Sequence, residues 1–423
     1  MTDKLVPKRR FNGFTGDWEQ RKLGEITSVI TKGTTPKDKS WTGSVNYIKT
    51  ESIDKFSGQI LQTAKTNLIE HEGYLKRSQL EENDILFTIV ETLGRVGKVT
   101  KYDLPANTNQ QISIIRLSQC DTEFIFQSLK TDDIELFIKS DSTVGAQPSL
   151  SLWQVENIHL KIPSLEEQIK IGNFFKQLDD TITLQERKLE KLKITKQAYL
   201  EEMFPKENET FPKRRFKGFT GDWEQRKFNE VFQMSISNNT LSRANLNYDK
   251  GTTLNIHYGD ILVKFNSILD VKNEIIPFIN ESEEKDFSKN ILRNGDIIFA
   301  DTAEDETTGK AIEISNITDE LVVSGLHTII ARAKDNFGSM YLGYYLNSEV
   351  YHKQIVKLLQ GIKVLSISKS NIQKTELRFP KSVKEQTKIG NLFKQLDETI
   401  TLQERKLEKL KKLKAAYLSE MFV

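Results

Sequence analysis

Residues 168–204 read QIKIGNFFKQLDDTITLQERKLEKLKITKQAYLEEMF, and residues 386–422 return that string with 30 of 37 positions unchanged. Between Pro163 and Pro205 there is no proline and a single glycine, Gly172. Ser164 opens the stretch, and Glu166 and Glu167 follow where the positive end of a helix dipole favours acids. The pattern predicts one helix of about 40 residues, roughly 60 Å long. Its apolar side chains fall on a heptad: Ile171, Phe175, Leu178, Ile182, Leu189, Leu192, Tyr199 and Met203. The copy offers Ile389, Phe393, Leu396, Ile400, Leu407, Leu410, Tyr417 and Met421. A seam of period 3.5 flanked by Glu, Lys and Arg needs a second helix to cover it, and the natural partner is the copy. Gln185 and Lys196 interrupt the seam, as do Gln403 and Lys414 in the copy. In an antiparallel pair Gln185 and Gln403 are expected to meet, each satisfying an amide that would cost about 1–3 kcal/mol if buried alone. Phe174, Leu184 and Leu200 lie off the seam and require cover from neighbouring domains or a partner.

A second repeat precedes the first. Residues 7–22, PKRRFNGFTGDWEQRK, recur at 212–227 with only Asn12 exchanged, for Lys217. The offset is 205 here and 218 in the helices, so the second intervening segment is 13 residues longer. Residues 30–160 and 230–378 share almost no letters. Drift alone would not spare one region and erase its neighbour, so the pattern describes two equivalent binding units that read different things. The resulting division is an arm (1–28), a first recognition module (29–161), a central helix (162–204), a linker with the second arm (205–228), a second module (229–378) and a C-terminal helix (379–423). A chain of 423 residues also exceeds what one core supports.

The net charge of +2 is uneven. Residues 30–160 carry 14 basic and 17 acidic side chains, residues 230–378 carry 16 and 20, and the remainder sums to +9. No apolar run is long enough to span a bilayer, and the basic N-terminus MTDKLVPKRRFNGF has no apolar segment behind it, so a cytoplasmic protein without membrane partners is expected. Cys120 is the sole cysteine and cannot close an intrachain disulfide, while the five histidines lack metal-ligand spacing, so no metal site is expected. GRVGK from Gly94 and TTGKA from Thr307 lack P-loop spacing, and no GxGxxG follows a strand. No Asn-Pro-Pro-Tyr or Asp-Pro-Pro-Tyr occurs either, so no catalytic residue and no cofactor is expected in this chain, and binding is the better reading.

The modules read as α+β. Strands are predicted from Val45, Asp84, Lys98 and Ile112, with a helix over 124–139; in the second module strands from Asp296, Lys310 and His327 answer them, with a helix over 339–359. Polar and basic residues gather on the connections. Candidates for DNA contact are Lys32, Thr34, Lys37, Lys39, Trp41, Arg95, Lys98, Gln110, Gln111 and Gln147, then His257, Lys264, Asn266, Lys310, His327 and Lys363. Arg and Lys suit guanine edges and Asn and Gln suit adenine, each good bidentate pair contributing about 1–3 kcal/mol of discrimination. Phosphate neutralisation normally dominates DNA affinity, so negative modules require either segregated charge or partners that supply the grip. The arm ProLysArgArg, at Pro7 and Pro212, is a further candidate for phosphate contact.

The arm GFTGDWEQRK resembles the start of many specificity (S) subunits of type I restriction-modification enzymes, and the resemblance covers essentially the whole chain. Each half also ends like the target recognition domains of that family. Gly145-Ala146-Gln147, Ile162-Pro163 and Glu167-Gln168 lead into the first helix; in the second half Lys363 replaces the glutamine, and Phe379-Pro380 precedes Glu385-Gln386. The resemblance implies an α+β fold with two globular target recognition domains separated by two long antiparallel coiled-coil helices in a pseudo-two-fold repeat. Each domain would read half of a bipartite, asymmetric sequence in double-stranded DNA, and the helices would fix the gap. Two modification (methyltransferase) subunits would dock on the helices and carry S-adenosylmethionine for adenine N6 methylation. Restriction subunits would add ATP- and Mg2+-dependent translocation and cleavage. The rival class is a bivalent protein-binding scaffold that never meets DNA.

Overall fold

The computed structural model describes residues 5–143, 145, 147–281 and 287–423; Ala146 lies outside them. The chain divides into two units, Met1–Lys188 with Glu404–Val423, and Leu189–Gln403. The heptad stretches form helices Leu165–Glu202 and Val383–Met421, each of which begins in one unit and ends in the other.

Within each unit the helices run antiparallel. In the first, Phe174 meets Tyr417 edge-on at 5.0 Å, Asp179 pairs with Lys414 at 2.7 Å and Glu186 with Lys411 at 2.7 Å, so partner numbers fall as residue numbers rise. In the second, Phe204 stacks on Phe393 at 5.9 Å, and Lys196 pairs with Asp397. The seam is covered: Ile171, Phe175, Ile182, Ile389, Phe393 and Ile400 are buried. Leu178, Leu189, Leu192, Tyr199, Leu396, Leu407, Leu410 and Tyr417 are half-buried. Gln403 is buried and Gln185 half-buried, and both are engaged. The lysines that interrupt the heptad are matched by aspartates related by the same repeat. Asp179, partner of Lys414, also accepts from Gln127 Nε2 at 2.8 Å, and Asp397, partner of Lys196, accepts from the Tyr344 hydroxyl at 2.8 Å. Each aspartate therefore joins helix to helix and helix to module.

In the first unit β1 (Glu19–Lys22) pairs antiparallel with β9 (His159–Ile162). Between them β2 (Thr27–Lys32), β8 (Ile112–Leu117), β5 (Ile85–Thr88) and β6 (Val96–Lys98) form an antiparallel sheet in that spatial order. A smaller sheet places β3 (Val45–Ile48) between β4 (Ala64–Thr66) and a parallel neighbour, β7 (Ala106–Thr108). The second unit repeats this plan with unlike letters. Strand β10 (Glu224–Lys227) pairs with β22 (Glu376–Phe379) as β1 does with β9. The main sheet runs β11 (Phe232–Gln233), β20 (Thr328–Ala333), β16 (Ile297–Ala300), β18 (Ala311–Ser315), with β14 (Ile268–Asp270) added in parallel at its edge. The smaller sheet holds β12 (Leu246–Asn247), β15 (Phe278–Ile279), β13 (Thr253–Ile256) and β19 (Leu321–Ser324), with β13 and β19 parallel. Strands β17 (Thr302–Ala303) and β21 (Leu365–Ser366) form a further pair.

The same ion pair braces both main sheets. Arg116 on β8 grips Asp84 with Nε and Nη2, each at 2.8 Å; Arg332 on β20 grips Asp296 in the same way at 2.7 and 2.6 Å. Both aspartates are buried, and bidentate pairing with an arginine offsets the cost of burying their charge. The predicted helices 124–139 and 339–359 are each two helices: Thr122–Ser128 and Asp132–Asp141, then Tyr341–Leu346 and Glu349–Val356. The breaks fall at extended residues, Thr131 and Ser348, and the Ser348 hydroxyl accepts from Tyr351 N to start the second member.

The arms are not free basic segments. Arg10 binds both oxygens of the buried Glu167 at 2.7 Å, and Arg215 binds Glu385 at 2.6 and 2.9 Å. Arg9 pairs with Glu420 and Arg214 with Glu202. Beside each buried glutamate a buried glutamine completes the joint. Gln168 accepts from Asp121 N at 3.0 Å and donates to Pro163 O at 2.9 Å; Gln386 accepts from Gly338 N at 2.7 Å and donates to Pro380 O at 2.8 Å. Gly172 and Gly390 follow one turn later because a Cβ at Gly390 would stand 2.5 Å from Ser339 O, and one at Gly172 2.3 Å from Asp121 Oδ1. Arg215→Ala would leave the Glu385 carboxylate buried and unpaired, and is expected to cost about 3–5 kcal/mol in denaturant unfolding. The double variant Arg215→Ala with Glu385→Gln should recover most of that loss.

Glu313 on β18 is buried, and its carboxylate accepts from Met340 N at 2.6 Å and Gly343 N at 2.8 Å, which anchors the start of helix Tyr341–Leu346. Burial pushes its carboxyl up to about 7, the backbone donors offsetting only part of the effect. The folded chain therefore holds a proton that the unfolded chain has lost between about pH 4.5 and 7. Stability of the second unit is expected to fall by about 3 kcal/mol as pH rises through that window, then to level off. Unfolding midpoints recorded across that range should decline in the parent chain and stay nearly flat in Glu313→Gln.

Candidate nucleic-acid interface

The loops at one end of each main sheet gather the exposed polar residues. In the first unit the chain leaves β5 at Thr88, and Ile89 N donates to Gln111 O at 2.8 Å while its carbonyl accepts from Leu150 N at 2.9 Å. Val90 bridges to Ser149, and Gln147 Nε2 donates to Glu91 Oε1 at 2.8 Å. Thr35 bonds Gln110, Thr34 N donates to Thr108 O at 2.9 Å, and the Tyr47 hydroxyl donates to Thr34 O at 3.0 Å. The Trp41 ring lies 5.3 Å from Tyr47 with the Lys49 amine 4.1 Å above it. One surface therefore brings together Thr34, Trp41, Gln110, Gln111 and Gln147. Lys32, at the end of β2, precedes Gly33, whose N donates to Ile112 O. Lys37, its amine 4.4 Å over the Tyr74 ring, and Lys39 are exposed on the adjoining loop.

The second unit repeats the layout. Asp301 N donates to His327 O at 3.1 Å and Asp301 O accepts from Ile367 N at 2.9 Å, the same pair of bonds that Ile89 makes with Gln111 and Leu150. Position 327 thus answers position 111, and Thr302 paired with Ser366 answers Val90 bridged to Ser149. Lys363 is exposed in the turn before that pair, next to the fully exposed Ile362. At the head of helix Tyr258–Val263 the His257 Nδ1 accepts from Gly259 N at 3.1 Å. Burial holds the His257 imidazole below its ordinary pKa, and Arg243 pushes it the same way, so the ring is neutral near pH 7. Its ring lies 4.7 Å from Tyr258, which meets His327 edge-on at 5.2 Å. Arg243 is tied to Asp260 by two bonds of 2.9 and 2.8 Å.

Five sequence candidates lie elsewhere or face inward. Arg95 and Lys310 occupy one position of the fold, since Thr88 N donates to Arg95 O and Ala300 N to Lys310 O. Arg95 Nη1 donates to Thr50 O at 3.4 Å and Ile53 O at 3.2 Å. Lys310 Nζ donates to Leu262 O at 3.0 Å and Phe265 O at 2.9 Å, and burial lowers its pKa. Each cation clamps carbonyls of the turn that follows β3 or β13. Lys98 is ion-paired with Glu123 near the Phe126 ring. Lys264 is exposed but bonds Ile275 O, and Asn266 is exposed two residues on. The letters did not single out Lys49, Arg243, Tyr258 or Asp301. Lys49 answers His257 as the residue after the parallel pairing of β3 with β7 and of β13 with β19, a relation visible only once strands are aligned. Among the described residues no group of three or more His, Cys, Asp or Glu is placed to hold a metal ion, and no helix is long and apolar enough to cross a membrane.

The family described as the type I restriction modification DNA specificity domain matches residues 15–194 and 220–412. The MjaVIII type I restriction enzyme specificity subunit of Methanocaldococcus jannaschii is 23% identical over 418 residues, spanning 94% of this chain and 90% of that protein. The EcoBI specificity subunit of Escherichia coli is 31% identical over 107 residues, 24% of this chain and 22% of that protein. The crystal structure of a type I restriction-modification S subunit from M. genitalium shares the fold with a TM-score of 0.60 at 14% identity, covering 99% of both chains. Because the matched residues take in both modules and most of both long helices, this chain belongs to that family and is a specificity subunit of a type I restriction-modification system.

Proposed function

We propose that the first and second modules each read one half of a bipartite, asymmetric DNA sequence, and that the two long helices set the unspecified gap between the halves. The observation that carries this reading is one framework with two chemistries. The Asp84–Arg116 and Asp296–Arg332 pairs, the glutamine joints and the helices repeat, while Gln111 gives way to His327 and Lys49 to His257 at matched positions. Half-sites on one face of a duplex lie about one turn apart, roughly 34–36 Å, which a helical spacer can impose.

The chain itself performs no chemistry in this reading. Two modification subunits dock on the helices and bring S-adenosylmethionine, and restriction subunits bring ATP and Mg2+. Their phosphate contacts would supply the grip that modules with 14 basic against 17 acidic, and 16 against 20, cannot supply alone. The same negative charge favours the second reading, a bivalent scaffold for proteins. Sequence-dependent duplex binding in the presence of the modification subunit decides between them.

Exchanging residues 30–160 for a different module is expected to change one half of the methylated motif and leave the other untouched, as read by single-molecule detection of methylated adenine. A change in both halves would end the modular reading. Seven residues inserted in each helix at the unit boundary keep the heptad and add about 10 Å, so the gap should lengthen by about three base pairs with both half-sites unaltered.

A further inference from the structure

We propose that Gln111 and His327, which share one position of the fold, each read a base edge in the major groove and do so with opposite hydrogen-bond polarity. The inference rests on the reading that the modules bind DNA. Both residues immediately precede an inner strand of the main sheet, β8 or β20, and both are held by a backbone bond to the segment leaving β5 or β16. His327 adopts a left-handed backbone with φ 55°, an unfavourable conformation for a side-chain-bearing residue. Its side chain is 46% exposed.

The neighbours decide the polarity. Asp301 Oδ1 lies 3.3 Å from His327 Nδ1, and the Tyr258 ring fixes the imidazole from the side. A carboxylate oxygen that close to Nδ1 favours the tautomer with its proton there, and Nε2 is then the acceptor left for a ligand. An acceptor fits the exocyclic amine of adenine or cytosine. In the first unit Gln111 Oε1 is taken by Asn109 Nδ2 at 2.9 Å, and Asn109 is itself oriented because its Oδ1 accepts from Gln111 N at 3.1 Å. The Gln111 amide NH2 is the group left for a ligand, and a donor fits guanine O6 or N7, or thymine O4. Identical placement with inverted polarity is what two readers of unlike half-sites need.

The test uses the full chain assembled with its modification subunits and competition binding against duplexes carrying every single-pair change in the target. His327→Ala is expected to relax selection about 10- to 100-fold at one pair in one half-site and nowhere else, with Gln111→Ala doing the same in the other half. Removing the exocyclic amine at the pair governed by residue 327 should weaken binding by the parent complex and leave the His327→Ala complex unaffected. Thermal unfolding midpoints matching the parent show that the variants fold; His327→Gln, which keeps a polar side chain there, should shift the preferred base rather than abolish selection. Two outcomes overturn the inference alone: selectivity retained at every pair, or uniform weakening across all duplexes, which marks a phosphate contact. A parent complex without sequence preference would instead overturn the DNA reading beneath it.

Discussion

At the root of each long helix a buried glutamate and a buried glutamine, adjacent in the chain, join three segments that are distant in sequence. Glu167 holds Arg10 of the arm while Gln168 bonds the start of the module helix at Asp121 N and the turn at Pro163 O; Glu385 and Gln386 do the same with Arg215, Gly338 N and Pro380 O. A buried carboxylate is tolerable only with its charge and lone pairs met, so the joint forms completely or not at all. Everything outward depends on it. It sets where the module helix crosses the long helix, and the glycine one turn later lets the two approach within the reach of a single missing Cβ.

The parts of this architecture that were legible in the sequence share a periodicity or a repeat. The heptad of Ile171, Phe175 and Ile182 predicted a covered seam, and the identity of residues 168–204 with 386–422 predicted what covers it. Lys196 and Lys414 stood out as misfits on that seam, yet their partners did not. Asp179 and Asp397 also repeat at an offset of 218, but an acid on a charged helix reads as a solvated face until a partner helix is placed against it. The arms illustrate the opposite error. ProLysArgArg has the composition of a free basic tail, and only the fold supplies the glutamates that claim its arginines.

Inside the modules letters fail for a different reason, because equivalence there is carried by backbone bonds. Arg95 and Lys310 differ in type and in neighbours, yet each follows the same ladder step and each satisfies two carbonyls of the turn beyond β3 or β13. A cation in a loop is indistinguishable by sequence from a phosphate contact, but Lys310, its pKa lowered by burial, spends its donors on two carbonyls inside the fold. Position 98 and position 313 go further, since Lys98 pairs with Glu123 where Glu313 accepts from Met340 N. The sign of the charge has reversed while the contact to the following helix persists, so a comparison of side chains alone would have scored the two positions as unrelated.

The distribution of the extra 13 residues shows which parts of a module are free to change. The offset between matched residues is 205 at the arms, 208 from Lys49 to His257, 212 from Asp84 to Asp296, 216 from Arg116 to Arg332 and 218 in the helices. Growth therefore enters a few residues at a time in the connections, and the bonds survive it: the Arg–Asp pair closes over 32 residues in the first module and 36 in the second, and the glutamine reaches its proline carbonyl over five residues and six. Short additions to surface loops cost little chain entropy, whereas a shift within a paired strand would turn every side chain to the opposite face. A module built this way can alter what its loops present without disturbing the bonds that hold it to the helices, and that separation is the physical condition for one framework to carry two readers.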